Sequence, residues 1–335
     1  METPQISIIL PFFNAEKTLA RALDSLSKQT FLDFECIMVD NNSSDGSRDI
    51  ARQYMNEDGR FRLMDEPAQG VTFAHNTGMT NANGRYIARM DADDWMFPNR
   101  LEKQYDYLEK NPEIDVVAGL AEYIPHKAET EGFQRYVSWS NSILETRDIF
   151  LKQFIESPVI NPTAMWRRKI SDKYGSYRHG SFPEDYELWL RWLSNGVKIY
   201  KLPIPVIKWY DSEKRLTRTD PRYSDHAFFD IKTRYLAQWL KNNNPKHPYV
   251  TVWGASKISR NRAGMLEENG IHIQSFIDLS TKRQLDKKVI FYKDLPEPGE
   301  IFILVYLKEE TMRSETVKFL SNKGYKEGMH FLLAS

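Results

Sequence analysis

Apolar runs that stop abruptly at polar turn clusters alternate with helical repeats along the first hundred residues. Ile6-Ser7-Ile8-Ile9-Leu10, closed by Pro11, reads as a buried strand. Asn14 is placed to cap the helix that follows, in which Leu19, Ala22, Leu23 and Leu26 recur at helical spacing. Phe34 to Val39 reads as a second strand, stopped by the turn cluster Asp40-Asn41-Asn42-Ser43-Ser44-Asp45-Gly46. A helix over Arg48–Met55, a short strand over Phe61–Met64 and a helix over 73–82 lead through Gly84 to a strand at Tyr86–Met90. That strand ends at Asp91-Ala92-Asp93-Asp94. The alternation predicts an α/β fold whose sheet is mainly parallel, with right-handed crossovers. Such sheets bind ligands beyond the carboxyl ends of their strands. Asn14, Asp40 and Asp91–Asp94 all fall at such ends, so residues distant in sequence can share one crevice.

Further along, the pattern is irregular over 120–145. An amphipathic helix is predicted over Glu184–Leu193, with Leu188, Trp189 and Trp192 on it, and another over 226–240. Asn242-Asn243-Asn244-Pro245 reads as a linker. A second strand–helix–strand unit follows: Tyr249–Trp253, Gly254, a helix to about Asn269, and Ile271–Ile277 ending at Asp278. A segment over Glu300–Leu307 and a helix near Ser314–Lys323 complete the chain. The domain reading is therefore 1–225, a helix and linker over 226–247, and a Rossmann-like α/β domain over 248–335. A length of 335 residues suits one large domain or two smaller ones.

Lys+Arg and Asp+Glu both total 46, so no global basic field draws the chain to nucleic acid. The one cysteine, Cys36, lies in an apolar run and reads as a buried thiol, with no disulfide possible within the chain. The N-terminus lacks the basic region of a signal peptide, and no run reaches the roughly 18–20 apolar residues of a membrane span. A cytoplasmic protein is expected, either free or peripheral at the inner face of a membrane.

Three aspartates in four residues repel one another unless a cation or donor compensates. Their hard oxygens suit Mg²⁺ or Mn²⁺. A divalent ion of this kind neutralises a pyrophosphate leaving group. A solvated acidic turn that caps the next helix is the competing reading. Asp40 likewise can simply begin an Asx-turn.

Four motifs in order carry a resemblance. They are Ser7-Ile8-Ile9-Leu10-Pro11-Phe12-Phe13-Asn14; Val39-Asp40-Asn41-Asn42-Ser43-Ser44-Asp45-Gly46-Ser47; Met90-Asp91-Ala92-Asp93-Asp94 with Pro98 and Arg100-Leu101-Glu102; and Pro183-Glu184-Asp185-Tyr186-Glu187-Leu188-Trp189-Leu190-Arg191. Over about residues 5–210 the chain resembles the family 2 glycosyltransferases. The resemblance implies a GT-A fold, a nucleotide-sugar donor such as a UDP-sugar, a divalent metal (Mn²⁺ or Mg²⁺) and inversion at the anomeric carbon. It implies that Pro11, Phe12 and Phe13, through their backbone, hold the nucleobase with Asp40. Asn14, Asn76 and Ala92 fall with them on the donor side. Asp91 and Asp93 form the D-x-D motif, and the doubled Asp93-Asp94 leaves open which contacts the metal and which the ribose. Asp185 is implied as the catalytic base, with Glu184 beside it.

Chemistry supports a base independently, because an acceptor hydroxyl is a poor nucleophile until a carboxylate takes its proton. Acids favoured by a helix N-terminus are the plainer account of Glu184-Asp185. Two positions depart from the family pattern. His75-Asn76 stands where many relatives have Arg-Asn, and Phe13 stands where an aromatic with a hydroxyl is usual.

On the acceptor side we expect Trp166, Arg167 and Trp209, with Arg168 beside them; core packing is the alternative for Trp166. The basic and aromatic residues Lys208, Trp209, Tyr210, Lys214, Arg215, Arg218, Arg222 and Tyr223 suit a phosphate-gripping patch, a mobile lid or a solvated loop. In the C-terminal unit Asp278 lies 24 positions after Gly254, near the spacing of a ribose-binding acid. Two fingerprint glycines are absent, and Ser256 occupies one of their places, so a packing, dimerising or acceptor-recruiting role is favoured over cofactor binding. The two-domain arrangement, with Phe331-Leu332-Leu333 at its end, is similar to the β-1,3-N-acetylglucosaminyltransferase-like proteins. That similarity implies a modified tRNA nucleoside, queuosine, as an alternative acceptor to a glycan or a lipid-linked glycan. A non-catalytic sugar-nucleotide-binding protein is the third reading, against which the intact acidic set argues.

Overall fold

The computed structural model describes residues 3–126, 131–213, 215–280 and 285–335. It contains two compact units, one of residues 1–149 and 158–223 and one of residues 150–157 and 224–335. Residues 226–247, read from the sequence as a helix and linker, fall in the second unit.

The first unit opens with β1 (Ile6–Phe12), α1 (Leu19–Ser27), β2 (Phe34–Asp40), α2 (Ser47–Glu57), β3 (Phe61–Asp65), α3 (Val71–Thr80), β4 (Tyr86–Arg89) and β5 (Trp95–Met96). Then come α4 (Arg100–Lys110), β6 (Val116–Ile124), α5 (Glu131–Asn141), α6 (Thr146–Lys152), of which residues 150–152 count with the second unit, β7 (Met165–Arg167), α7 (Arg168–Tyr174), α8 (Glu184–Ser194), β8 (Ile199–Tyr210) and α9 (Leu216–Thr219). The eight strands form one sheet in the order β3-β2-β1-β4-β7-β6-β8-β5. β1 pairs in parallel with both β2 and β4, whereas β7 runs antiparallel to its neighbours β4 and β6. This is the GT-A arrangement, a mixed and mainly parallel sheet.

β1 and β2 are buried along nearly their whole length, as strands covered on both faces must be. Helix α1 presents Leu19, Ala22, Leu23 and Leu26 to the core. It begins after Thr18, four residues later than the expected cap at Asn14, which serves another purpose described below. On α3, Gly78 lets the helix lie close against β1: an added Cβ would stand 2.5 Å from Ile9 Cγ2. The irregular stretch after residue 120 resolves into the end of β6 followed by α5. The β6–β8 register shifts on both sides of the pair Leu120↔Pro205. A proline cannot donate to the ladder, so the strand bulges there and loses its alternation.

The second unit holds α10 (Asp225–Asn243), β9 (Tyr249–Trp253), α11 (Lys257–Glu268), β10 (His272–Asp278), β11 (Lys288–Phe291), β12 (Ile303–Val305), α12 (Glu310–Asn322) and β13 (Phe331–Leu333). Its sheet, ordered β11-β10-β9-β12-β13, is parallel throughout. Gly254 takes a φ of 115°, a region closed to most side chains. Ser256 caps α11 by accepting a hydrogen bond from the Ser259 amide at 3.1 Å. No helix among the described residues is long and apolar enough to cross a membrane.

Candidate active site

The loops at the carboxyl edge of the first sheet are tied together by short polar side chains. Phe12 is buried beneath β1's end, while Phe13 is 51% exposed; Pro11 is half-buried. Asn14 sits at a φ of 49°, a left-handed conformation that asparagine tolerates. Its Oδ1 accepts from the Ser44 amide at 2.8 Å, and its own amide donates to Ser43 Oγ at 3.1 Å. Asn14 thus braces the β1 loop against the β2 loop rather than capping α1. Asp40, at the end of β2, is buried. Its Oδ1 accepts from the Ser43 amide at 3.0 Å, the Asx-turn anticipated from the sequence. Its Oδ2 accepts from Arg48 Nη1 at 2.9 Å, and Arg48 also holds Asp65 at the end of β3.

One strand beyond β1, the turn after β4 gathers Asp91, Asp93 and Asp94, whose carboxylate oxygens lie within 4.8 Å of one another. They are not equivalent. Asp91 Oδ1 accepts from Arg89 at 2.6 Å. Arg89 is fully buried and also donates to the carbonyl of Ile9 at 2.8 Å. Asp94 is fully buried, with Oδ1 accepting from the Tyr210 amide at 3.0 Å and Oδ2 unpartnered among the described residues. Burial and the neighbouring carboxylates Asp93 and Asp91 hold Asp94 well above the usual carboxylate range. Asp93 is raised as well, by burial and by Asp91, against the opposing charges of Arg215 and Arg21. Arg21 donates to the Asp93 carbonyl and stacks on the Tyr210 ring, 3.6 Å from its centroid. Ala92, between the acids, is half-buried. Clustered hard oxygens, one of them an orphan, fit a divalent cation.

Helix α8 brings Glu184 and Asp185 to the same region. The helix is anchored by a cluster of three indoles, Trp166 on β7 with Trp189 and Trp192, whose ring centroids are 5.4–6.3 Å apart in edge-to-face contacts. Trp192 Nε1 donates to the Gly175 carbonyl at 3.1 Å, and Arg191 to that of Ser176 at 2.6 Å, which fixes the approach to Tyr177. Burial, Glu184 and Asp91 push the Asp185 carboxyl up to about 7, while the Tyr186 amide, 2.7 Å from Oδ1, pulls it down. Glu184, itself buried and pushed up by burial, accepts the Tyr223 hydroxyl.

Tyr177 joins these groups. Its ring lies 4.5 Å from that of His75, its hydroxyl donates to Asn161 Oδ1 at 3.0 Å, and its carbonyl accepts from Asn76 Nδ2 at 2.8 Å. His75 is buried, and desolvation together with Arg89 pushes it well below its ordinary value. It is therefore a neutral ring that packs, and it supplies no charge toward a diphosphate.

Two residues expected on the acceptor side lie elsewhere. Trp166 is fully buried in the indole cluster. Because it is wholly covered, Trp166→Ala should cost about 3–5 kcal/mol of stability. Urea unfolding checks this, and a loss below about 1 kcal/mol would contradict the packing account. Arg167 pairs with Tyr86 at the opposite end of β4 from Asp91, and it donates to the Ile114 carbonyl at 3.0 Å and to the Tyr86 hydroxyl at 3.0 Å. Arg168 begins α7 at that same end. Trp209 is nearly buried, with Arg215 lying 3.8 Å over its ring. The basic segment after β8 is largely neutralised within itself: Asp211 accepts from Arg218 at 2.8 Å and Tyr123 at 2.9 Å, and Asp220 from Arg222 at 2.7 Å. Lys214 lies outside the described residues. Arg89, Tyr177 and Tyr223 carry much of the site's wiring. Tyr223 stands in the basic and aromatic patch read from the sequence; of the other two only Arg89 carries a sequence signal, a charge inside an apolar strand beside three acids.

Comparison with known proteins bears on this arrangement. The model of the family described as "Glycosyl transferase family 2" matches residues 7–175. The O-antigen biosynthesis glycosyltransferase WbnJ of Escherichia coli is 28% identical over 246 residues, covering 70% of this chain and 89% of WbnJ. WfgD, also of Escherichia coli, is 38% identical over 112 residues, 33% of this chain and 44% of its own. It is described as a UDP-Glc:alpha-D-GlcNAc-diphosphoundecaprenol beta-1,3-glucosyltransferase. Among solved structures, the UDP-GlcNAc complex of S. aureus TarS superposes with a TM-score of 0.57 at 17% identity, covering 79% of this chain and 71% of that one. At that identity the likeness concerns the fold, which is the one its strand order already indicates. The family match spans half of the chain and includes the motifs that end β1, β2 and β4, and on that ground the chain belongs to glycosyl transferase family 2.

Proposed function

We propose that this glycosyltransferase takes a sugar from a nucleoside diphosphate, a UDP-sugar, and passes it with inversion to the hydroxyl of a glycan, most simply one carried on a lipid diphosphate. The observation that carries the reading is the junction of the Asp91–Asp94 cluster with Asp185, close enough for Asp91 to raise the Asp185 carboxyl. Asp185, up at about 7, is half ionised near neutral pH and suits proton removal from an acceptor hydroxyl. The acceptor oxygen, giving its proton to Asp185, attacks the anomeric carbon from the face opposite the nucleoside diphosphate, whose bond to that carbon breaks as the new one forms; this single displacement inverts the configuration.

Asp93 is the preferred metal ligand, because no side chain among the described residues donates to its carboxylate; Asp94 stands behind it, tied to Tyr210. A divalent ion held there would neutralise the departing diphosphate. Asp91, turned by Arg89, is left for the donor's ribose. Asp40 and the exposed ring of Phe13 form the nucleobase end, with Pro11, Asn14, Asn76 and Ala92 shaping the walls. The donor and acceptor named for WfgD support the choice of a UDP-sugar and a lipid-linked glycan.

The test is nucleoside diphosphate release over a panel of UDP- and GDP-sugars with Mn²⁺ or Mg²⁺, offered lipid-linked glycan or tRNA. Metal-dependent release from a UDP-sugar on the glycan acceptor is expected. Release only with GDP-sugars, or only with tRNA, would overturn the donor or the acceptor assignment. Phe13→Ala should raise the donor KM roughly 5- to 150-fold, the equivalent of 1–3 kcal/mol of base stacking, with little change in kcat. An unchanged KM would remove Phe13 from the nucleobase end.

A further inference from the structure

The segment that follows β8 is fastened at both ends to acidic groups of the site. At its start the Tyr210 amide donates to Asp94 Oδ1 at 3.0 Å. At its end the Tyr223 hydroxyl reaches both oxygens of Glu184, at 2.8 and 2.7 Å. Between them, Asp211 with Arg218 and Asp220 with Arg222 satisfy one another.

Glu184 is 4% exposed, and Tyr223 is the one side chain among the described residues that hydrogen-bonds to it. A buried carboxylate without a donor gives up its charge rather than remain ionised. We propose that Tyr223 is a positioning residue for sugar transfer: its hydroxyl holds Glu184 in place and charged beside Asp185, so that the segment after β8 must be seated for Asp185 to act as a strong base. The inference rests on Asp185 being the base of the proposed reaction.

The surrounding charges give it direction. Glu184 faces Tyr223, Arg222 and Arg89. Asp185 faces Glu184 and Asp91, and its charge also acts on Tyr177 and Tyr223. Burial raises Glu184 and the Tyr223 hydroxyl brings it back down, while the Glu184 charge is, after burial, the largest influence that raises Asp185. Without the phenol hydroxyl, Glu184 keeps its own backbone amide and the charges of Arg222 and Arg89 but is pushed further up, so it holds less of its charge. Asp185 then becomes a weaker base that ionises at lower pH.

The test is the pH profile of kcat/KM at saturating Mn²⁺, which reports the free enzyme's essential base. For the unmodified enzyme the rate should rise with pH through about 7. In Tyr223→Phe the midpoint should move down by at least about half a pH unit, roughly a threefold change in proton affinity. The rate at pH 8 should fall several-fold, and the melting temperature should hold within a few degrees. Glu184→Gln, which removes the same charge directly, should move the midpoint the same way. A midpoint unmoved in both variants, or moved upward in either, overturns the proposal. Asp185→Asn separates the layers: if it abolishes turnover while Tyr223→Phe leaves the midpoint in place, the base assignment stands and this inference alone fails.

Discussion

Asp185→Asn is expected to lower kcat by roughly 10²- to 10⁴-fold, the range a positioned general base contributes. Donor affinity should survive, because asparagine keeps the size of the side chain and Asp185 sits on α8, apart from the loops that end β1 and β2. UDP titration in the presence of Mn²⁺ would show the two effects separately. The pH dependence should change as well. Asp185 ionises at about 7, so the normal rate climbs through that pH as the base loses its proton. The residual rate of the variant should lack that rise. Unchanged turnover would remove Asp185 from the chemistry and return Glu184-Asp185 to the role of helix N-terminal acids.

Metal removal should have an effect of similar size by a different route. Chelation is expected to abolish turnover, with Mn²⁺ or Mg²⁺ restoring it, and Asp93→Asn should cut kcat/KM for the donor about 10³-fold. That figure corresponds to several kcal/mol of lost charge stabilisation at about 1.4 kcal/mol per decade. Asp94→Asn keeps an Oδ1 to accept the Tyr210 amide and removes a charge that burial, Asp93 and Asp91 disfavour, so it should leave the melting temperature unchanged or raise it and cost less turnover than Asp93→Asn. Comparing the two variants by turnover and by thermal melting would assign the doubled acid. Turnover that persists in excess chelator would contradict the metal role of Asp93.

Much of the fold that frames this site is legible in the sequence. β1, β2 and β4 announce themselves because buried parallel strands are continuous apolar runs, and each stops at a residue that the fold then uses: Asn14, Asp40, Asp91. What remained hidden has identifiable causes. The bulged pairing of β6 with the proline-bearing β8 erased the alternation that marks a strand. Asn14 looked like a helix cap, yet its left-handed backbone turns its side chain to the β2 loop instead. From the sequence Trp166 and Arg167 are expected on the acceptor side, with core packing the alternative for Trp166. The antiparallel strand β7 carries one into the core and the other to the far end of the sheet. Tyr177 and Tyr223 act through pairings with residues 16 and 39 positions away, respectively, and pairings of that kind leave no local pattern.

Carboxylates from three separate elements, the end of β2, the turn after β4 and the start of α8, must serve one bound nucleotide. Crystals grown with UDP and Mn²⁺, measured at the manganese absorption edge, address that directly. One anomalous peak is expected between Asp93 and the diphosphate, with the uracil beside Phe13 and Asp40 and with Asp185 facing the open side of the phosphates. Manganese bound away from Asp93, or a nucleotide lodged where Asp185 cannot face it, would contradict this arrangement.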